Sequence, residues 1–137
     1  MISADAMERI EEQAFNKYVE NGMATRMDDD IVEGEIPVWT DADDYYMAPA
    51  KCTIPGDTIK DWLYDDFRTV VEKYLKVYDV DSIHELPELE YYDPISPIDY
   101  FECCMEMYEG IEDYFWHNIY PDKQQDYFEK HAERSYD

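Results

Sequence analysis

Ser96-Pro97-Ile98-Asp99-Tyr100-Phe101-Glu102-Cys103-Cys104-Met105-Glu106-Met107-Tyr108-Glu109-Gly110-Ile111-Glu112-Asp113 opens with three helix-start signals in succession. Ser96 is a capping residue, Pro97 takes the first helical position, where a missing N–H costs nothing, and Asp99 brings an acid into the first turn. Ile98, Phe101, Met105 and Tyr108 recur at helical spacing on one side, and Tyr100, Cys104, Met107 and Ile111 on the other. The pattern predicts a helix to about Tyr120, where Pro121 ends it or starts another helix carrying Tyr127, Phe128, His131 and Ala132.

The same stretch carries Asp99, Glu102, Glu106, Glu109 and Asp113, spaced 3, 4, 3 and 4 residues apart. That spacing puts five carboxylates on one helix face, with successive charges roughly 5–6 Å apart along the axis. Apolar flanks on both sides leave this acidic edge as the one expected to face solvent.

Towards the N-terminus, Asp57 follows Pro55-Gly56 and is expected to cap a second long helix. Ile59, Trp62, Leu63, Phe67, Val70, Val71, Tyr74, Leu75 and Tyr78 form its broad apolar face. A short helical turn from Ser82 to Leu86 and a proline-punctuated connector from Pro87 to Pro94 lead on to the helix at Pro97. A first helix is expected from Ser3 to Asn21, with Met7, Ile10, Ala14 and Tyr18 as its stripe, widened by Phe15 and Val19. Ser3 is its N-cap, and Gly22 stands where a left-handed C-terminal cap is expected. Between the first and second helices, Ile31-Val32 and Ile36-Pro37-Val38-Trp39 read as short strands around Glu33-Gly34-Glu35, and Lys51-Cys52-Thr53-Ile54 as another. Pro37, Pro49 and Pro55 keep these strands short or at an edge. The expected fold is α+β: one predominantly helical domain over 1–137, with three to four helices and a small antiparallel β element after the first. At 137 residues, a split into two domains would leave halves too small for good cores.

Hydrophobic residues make up 45% of the chain and aromatic residues 16%, enough apolar mass to exclude a disordered acidic tail. Against this stand 35 Asp and Glu with only 11 Lys and Arg, a formal charge of −24 at pH 7. Such an imbalance opposes the compact state by self-repulsion. It also excludes direct binding to DNA, RNA or an anionic membrane, and makes a basic protein surface the natural partner. The acids are segregated. No Lys or Arg occurs between Lys76 and Lys123, which holds the five carboxylates above. None occurs between Arg26 and Lys51, which holds Asp28, Asp29, Asp30, Glu33, Glu35, Asp41, Asp43 and Asp44. A solvated helix face ordinarily interleaves acids with Lys at i,i+4, and here that pairing is missing for whole elements.

Site chemistry is weak elsewhere. Asp79, Asp81 and Glu90 fall at positions 1, 3 and 12 of a calcium-loop register, but Ile83 and His84 occupy positions 5 and 6, where a ligand and a glycine are needed. Asp28 and Asp30 start another such loop, which fails at Val32. His84, His117 and His131 stand alone, without metal-ligand spacing. Cys52, Cys103 and Cys104 are odd in number and make no disulfide framework, and surrounding acids are expected to raise the thiol pKa values of Cys103 and Cys104. Gly22, Gly34, Gly56 and Gly110 are too dispersed for a phosphate loop. No metal, no cofactor and no enzymatic activity are expected. The N-terminus lacks a signal-like basic and apolar region, and no apolar run approaches membrane-spanning length, so a cytoplasmic location is expected.

In size, in net charge and in carboxylate rows such as Asp99-Glu102-Glu106-Glu109-Asp113, the chain resembles the small acidic DNA-mimic inhibitors, many of them phage-encoded. These block restriction enzymes, CRISPR nucleases or DNA-repair enzymes. They share no single fold, so the resemblance implies a function and no architecture or residue roles. It implies an inhibitor that occupies the basic groove of a nucleic-acid-binding protein, a CRISPR-Cas effector or restriction nuclease, within a bacterial host's cytoplasm if phage-encoded. Asp28, Asp29, Asp30, Asp41, Asp43 and Asp44 join the helical row as candidate partner-binding residues, with Tyr45, Tyr46, Tyr91 and Tyr92 as aromatic anchors. An acidic adaptor or chaperone that shields a basic client is the alternative. Adaptation to high salt is a third reading, opposed by the aromatic content and the segregation of the acids.

Overall fold

A computed structural model describes residues 2–23, 27–90 and 96–134 of the chain. It is a mostly helical α+β structure with a three-stranded antiparallel sheet, two strands of which follow the first helix while the third follows the last. In chain order the elements are α1 (Ala4–Met23), β1 (Asp30–Asp41), β2 (Asp44–Ile54), α2 (Gly56–Lys60), α3 (Phe67–Val77), α4 (Pro87–Glu90), α5 (Pro97–Tyr114), α6 (Tyr120–His131) and β3 (Glu133–Arg134). Among the described residues, no helix is long and apolar enough to cross a membrane.

The main core forms where α1, α3 and α5 meet. Ile10 and Ala14 come from α1, Phe67, Val70, Val71 and Leu75 from α3, and Tyr100, Cys104, Tyr108 and Ile111 from α5. Leu63, Tyr64 and Phe115 join it from the connecting turns, and Ile83, Leu86 and Leu89 from the segment that leads into α5. Aromatic side chains hold its centre: Phe15 and Tyr18 stack on Phe67 with ring centroids 5.7 and 5.3 Å apart, and Tyr108 meets Phe67 edge-on at 6.1 Å. A smaller cluster joins the sheet to α6, with Ala50, Cys52 and Phe128 buried between Val32, Ile36, Tyr127 and Ala132.

Several elements differ in detail from the sequence pattern. The second long helix is interrupted: Asp61–Asp65 is a widened π turn, and Asp66 leaves helical geometry at φ −118° and ψ 26° before α3 begins. Thr69 Oγ1 donates to the Asp66 carboxylate at 2.7 Å and braces this second start. Asp57 is not the cap of α2; Pro55 is, and the Gly56 N–H is taken by Asp29 Oδ1 at 2.8 Å. The α5 helix ends at Tyr114, another π turn spans Phe115–Ile119, and α6 starts at Tyr120 with Pro121 in its first turn. α3 stops on Asp79, which takes a left-handed φ of 54° while Val80 N–H donates back to Leu75 O at 3.2 Å. The expected turn at Ser82 to Leu86 is a 3-10 turn, Ile83–Glu85, closed by a Ser82–Glu85 capping box. The connector after it begins as helical turn α4; 91–95 lie outside the described residues.

Gly22 is not a left-handed cap. It lies within α1, no glycine among the described residues has positive φ, and a Cβ at this position would collide with the Tyr64 ring. Ser3 does cap the helix, its Oγ accepting from Ala6 N–H at 3.2 Å. The β element is longer than expected. β1 runs without a break through Glu33-Gly34-Glu35, and the chain reverses at Ala42-Asp43, so that Tyr45–Met47 belong to a strand. Gly34 is there for close approach: a Cβ would stand 2.9 Å from Phe128 Cζ. Pro37 and Pro49 are tolerated because the pairs Pro37↔Met47 and Glu35↔Pro49 lie two positions apart and are of one kind. At that kind of pair the backbone nitrogens point away from the partner strand, so no ladder bond is lost.

Candidate partner-binding surface

The orientation of α5 is fixed from its buried side. Ser96 Oγ accepts from Asp99 N–H at 3.1 Å and starts the helix at Pro97. Two tyrosines then tie it to α1: Tyr100 Oη donates to Glu11 Oε1 at 3.1 Å, and Tyr108 Oη to the Glu11 carbonyl at 3.0 Å. Glu11 is a buried acid, and its carboxylate also accepts from His84 N–H at 3.0 Å, with His84 Nδ1 3.2 Å away. One turn further along, Glu112 accepts from the hydroxyls of both Tyr18 and Tyr64, the latter at 3.2 Å. Burial, followed by the negative Glu112, pushes the Tyr64 hydroxyl up to about 12, and burial raises Tyr18, Tyr100 and Tyr108 further. These hydroxyls remain donors through the physiological range, so the contacts that set the rotation of α5 are constant.

With that rotation fixed, the acidic row points away from the core. Successive residues turn by about 100°, so the five carboxylates fall in an arc of about 80° centred opposite the buried line Tyr100, Cys104, Tyr108 and Ile111. Asp99 is half-buried; Glu102, Glu106, Glu109 and Asp113 are exposed. Among the described residues, none of these four exposed acids has a Lys, Arg or His in an ion pair; the three pairs present are Arg68–Glu12, His84–Glu11 and Lys130–Asp126. The row spans about 21 Å at the helical rise, one charge per about 5 Å, against one phosphate per about 3.4 Å of a DNA strand. The apolar flanks are uneven. Phe101, Met105 and Met107 are half-buried, whereas Ile98 is 73% exposed.

The acids of the other basic-free stretch are divided among different tasks. Asp28 is exposed ahead of β1. Asp29 serves the first N–H of α2, and Asp30 accepts from the Tyr120 hydroxyl and from Gln124 Nε2, the latter at 2.8 Å. These two therefore hold the hairpin to α2 and α6. Asp41, Asp43 and Asp44 are exposed at the hairpin turn, apart from the α5 row in the chain and on a different element. Tyr45 and Tyr46 are both exposed but face opposite sides of the hairpin; Tyr46 lies beneath the Arg134 guanidinium, 5.7 Å from its ring centroid. Tyr91 and Tyr92 lie outside the described residues.

Cys104 is buried, and burial pushes its thiol up to about 12; Cys103 is raised first by burial and then by Glu106 and Asp99. Among the described residues, no three His, Cys, Asp or Glu side chains are grouped to hold a metal ion. The structural carboxylates Glu11 and Glu112 are not distinguished by composition. Glu112 does have a signal, since its position turns it off the acidic row towards the tyrosines of the core. Compared with protein-family models, with curated proteins and with solved structures, the chain matches none.

Proposed function

We propose that this chain is a nucleic-acid mimic: a binding protein whose α5 carboxylate row occupies the basic groove of a DNA- or RNA-binding protein and blocks it. The resemblance noted above points to a phage-defence nuclease, a CRISPR-Cas effector or restriction enzyme, as the target. One observation carries the reading. Four exposed carboxylates and a half-buried fifth run along α5 opposite its buried line, and the four exposed ones have no cationic neighbour in an ion pair among the described residues. Lys and Arg that receive phosphates meet a regular row of acceptors on this helix, at about 5 Å against about 3.4 Å, and long-range attraction makes the encounter fast and salt-sensitive.

The test is a capture experiment from nuclease-treated lysate of a bacterial host, with the wild-type chain and a variant bearing Glu102→Gln, Glu106→Gln, Glu109→Gln and Asp113→Asn. The expected result is capture of a nucleic-acid-binding protein by the wild type, its release by raised salt and by added duplex or guide RNA, and its loss with the folded variant. Equal capture by the variant would remove α5 from the mechanism. A captured client that keeps its nucleic acid would favour an adaptor or chaperone instead.

A further inference from the structure

The distal half of the β1–β2 hairpin carries a second surface, on residues that the α5 row does not include. Side chains alternate across the strands, and the register sets Trp39 opposite Tyr45 and Pro37 opposite Met47 on one face. Trp39 is 61% exposed, Tyr45 53% and Met47 48%, and the Trp39 and Tyr45 ring centroids are 4.9 Å apart. Phe128 and α6 cover the opposite face near Gly34 and Ala50. Around the turn stand three exposed acids, Asp41, Asp43 and Asp44, in a stretch without any Lys or Arg. A large aromatic pair held in water and rimmed by one sign of charge is a surface built for contact.

We propose that this hairpin tip is a docking surface for arginine side chains of a basic protein, with the guanidinium plane lying on Trp39 and Tyr45 and its N–H groups directed to the turn carboxylates. Charge complementarity selects this occupant. A neutral apolar partner would have to strip water from three aspartates without replacing their hydrogen bonds, and nucleic acid would be repelled. Arginine is preferred to lysine because its weakly hydrated plane stacks on a ring while its fork still reaches a carboxylate. The chain uses the same chemistry internally. The Arg68 guanidinium lies 4.2 Å from the Phe15 ring centroid while donating to both Glu12 oxygens, at 2.6 and 3.3 Å.

The inference rests on the mimic reading for the basic nature of the partner, but on separate residues. It is tested with hexa-arginine and hexa-lysine peptides of equal charge, titrated into the full chain while the indole N–H resonances of Trp39, Trp62 and Trp116 are followed. The expected result is that hexa-arginine shifts the Trp39 signal first and binds about fivefold tighter than hexa-lysine, and that Trp39→Ala lowers its affinity about fivefold. Trp39 belongs to neither core cluster, so this variant is expected to fold. Equal binding of the two peptides, or unchanged affinity in Trp39→Ala, would overturn the proposal. The four-substitution α5 variant separates the two ideas. A retained Trp39 response in a variant that captures its target normally would remove the α5 row and leave the hairpin surface standing. A lost response would place the arginine site on α5 and overturn the hairpin proposal.

Discussion

Neutralising the exposed acids of α5 is expected to stabilise the fold while abolishing its function. In the Glu102→Gln, Glu106→Gln, Glu109→Gln, Asp113→Asn variant, four like-charge neighbours are relieved at once: 99 with 102, 102 with 106, 106 with 109, and 109 with 113. Like-charge pairs at this spacing destabilise a helix by about 0.2–0.5 kcal/mol each, so the relief totals about 0.8–2 kcal/mol. Asp99 is left in place because it sits in the first turn, where an acid favours the helix dipole. Glutamine has nearly the helix propensity of glutamate, so little is lost in exchange. Urea denaturation at low salt is the assay, repeated at high salt, where screening should shrink the gain because the relieved repulsion lies at the surface. A variant less stable than the wild type by about 1 kcal/mol or more, the scale of a lost intramolecular hydrogen bond, would mean that these carboxylates are engaged within the fold. The row would then not be free to meet a partner, and the reasoning from exposure would fail.

Three further outcomes follow from the packing. Glu112→Gln keeps the shape but removes the charge shared by the Tyr18 and Tyr64 hydroxyls, and should cost about 1–3 kcal/mol by urea denaturation, in contrast to the gain at its neighbours. Gly22→Ala should destabilise, although alanine is better in a helix by about 1 kcal/mol, because its methyl meets the Tyr64 ring; in a Tyr64→Ala background the same change should become stabilising. On the alkaline side, Tyr64 is pushed up to about 12 and Tyr18, Tyr100, Tyr108 and Tyr120 are raised as well, whereas an unfolded chain ionises its tyrosines near pH ~10. Stability should therefore be whole below pH ~10 and fall as pH rises towards and past 12, with the buried tyrosines ionising only as the chain unfolds. Tyrosinate absorbance followed alongside circular dichroism checks this, and uniform titration of all 14 tyrosines in a folded chain would contradict it.

What the sequence made legible was what local rules control. Ser96 and Pro97 fix the start of α5, and its central apolar positions do face the core. Ile98 shares their spacing but lies about 120° round the helix from the centre of the buried line, at the margin of the stripe, and is exposed. The hairpin was harder to read because its turn, Ala42-Asp43, lacks the glycine that marks tight reversals. Gly34 carried that signal instead, for a reason that only packing reveals: a phenylalanine from the far end of the chain lies on it. The same limit applies to the acids. Spacing along one helix identifies the α5 row, whereas the use of Asp29 and Asp30 depends on Gly56, Tyr120 and Gln124, which the fold alone brings to them. Trp39 and Met47 became visible as a surface only once the register had placed them beside Tyr45 and Pro37.

Under the proposed mimicry, this chain and nucleic acid compete for one groove. The most direct measurement is the anisotropy of a labelled duplex or guide RNA held by the purified target as the chain is added at several salt concentrations. Full displacement is expected, with an apparent affinity that falls steeply as salt rises, and no displacement by the α5 variant. A ternary complex, in which the target holds both the nucleic acid and this chain, would contradict it.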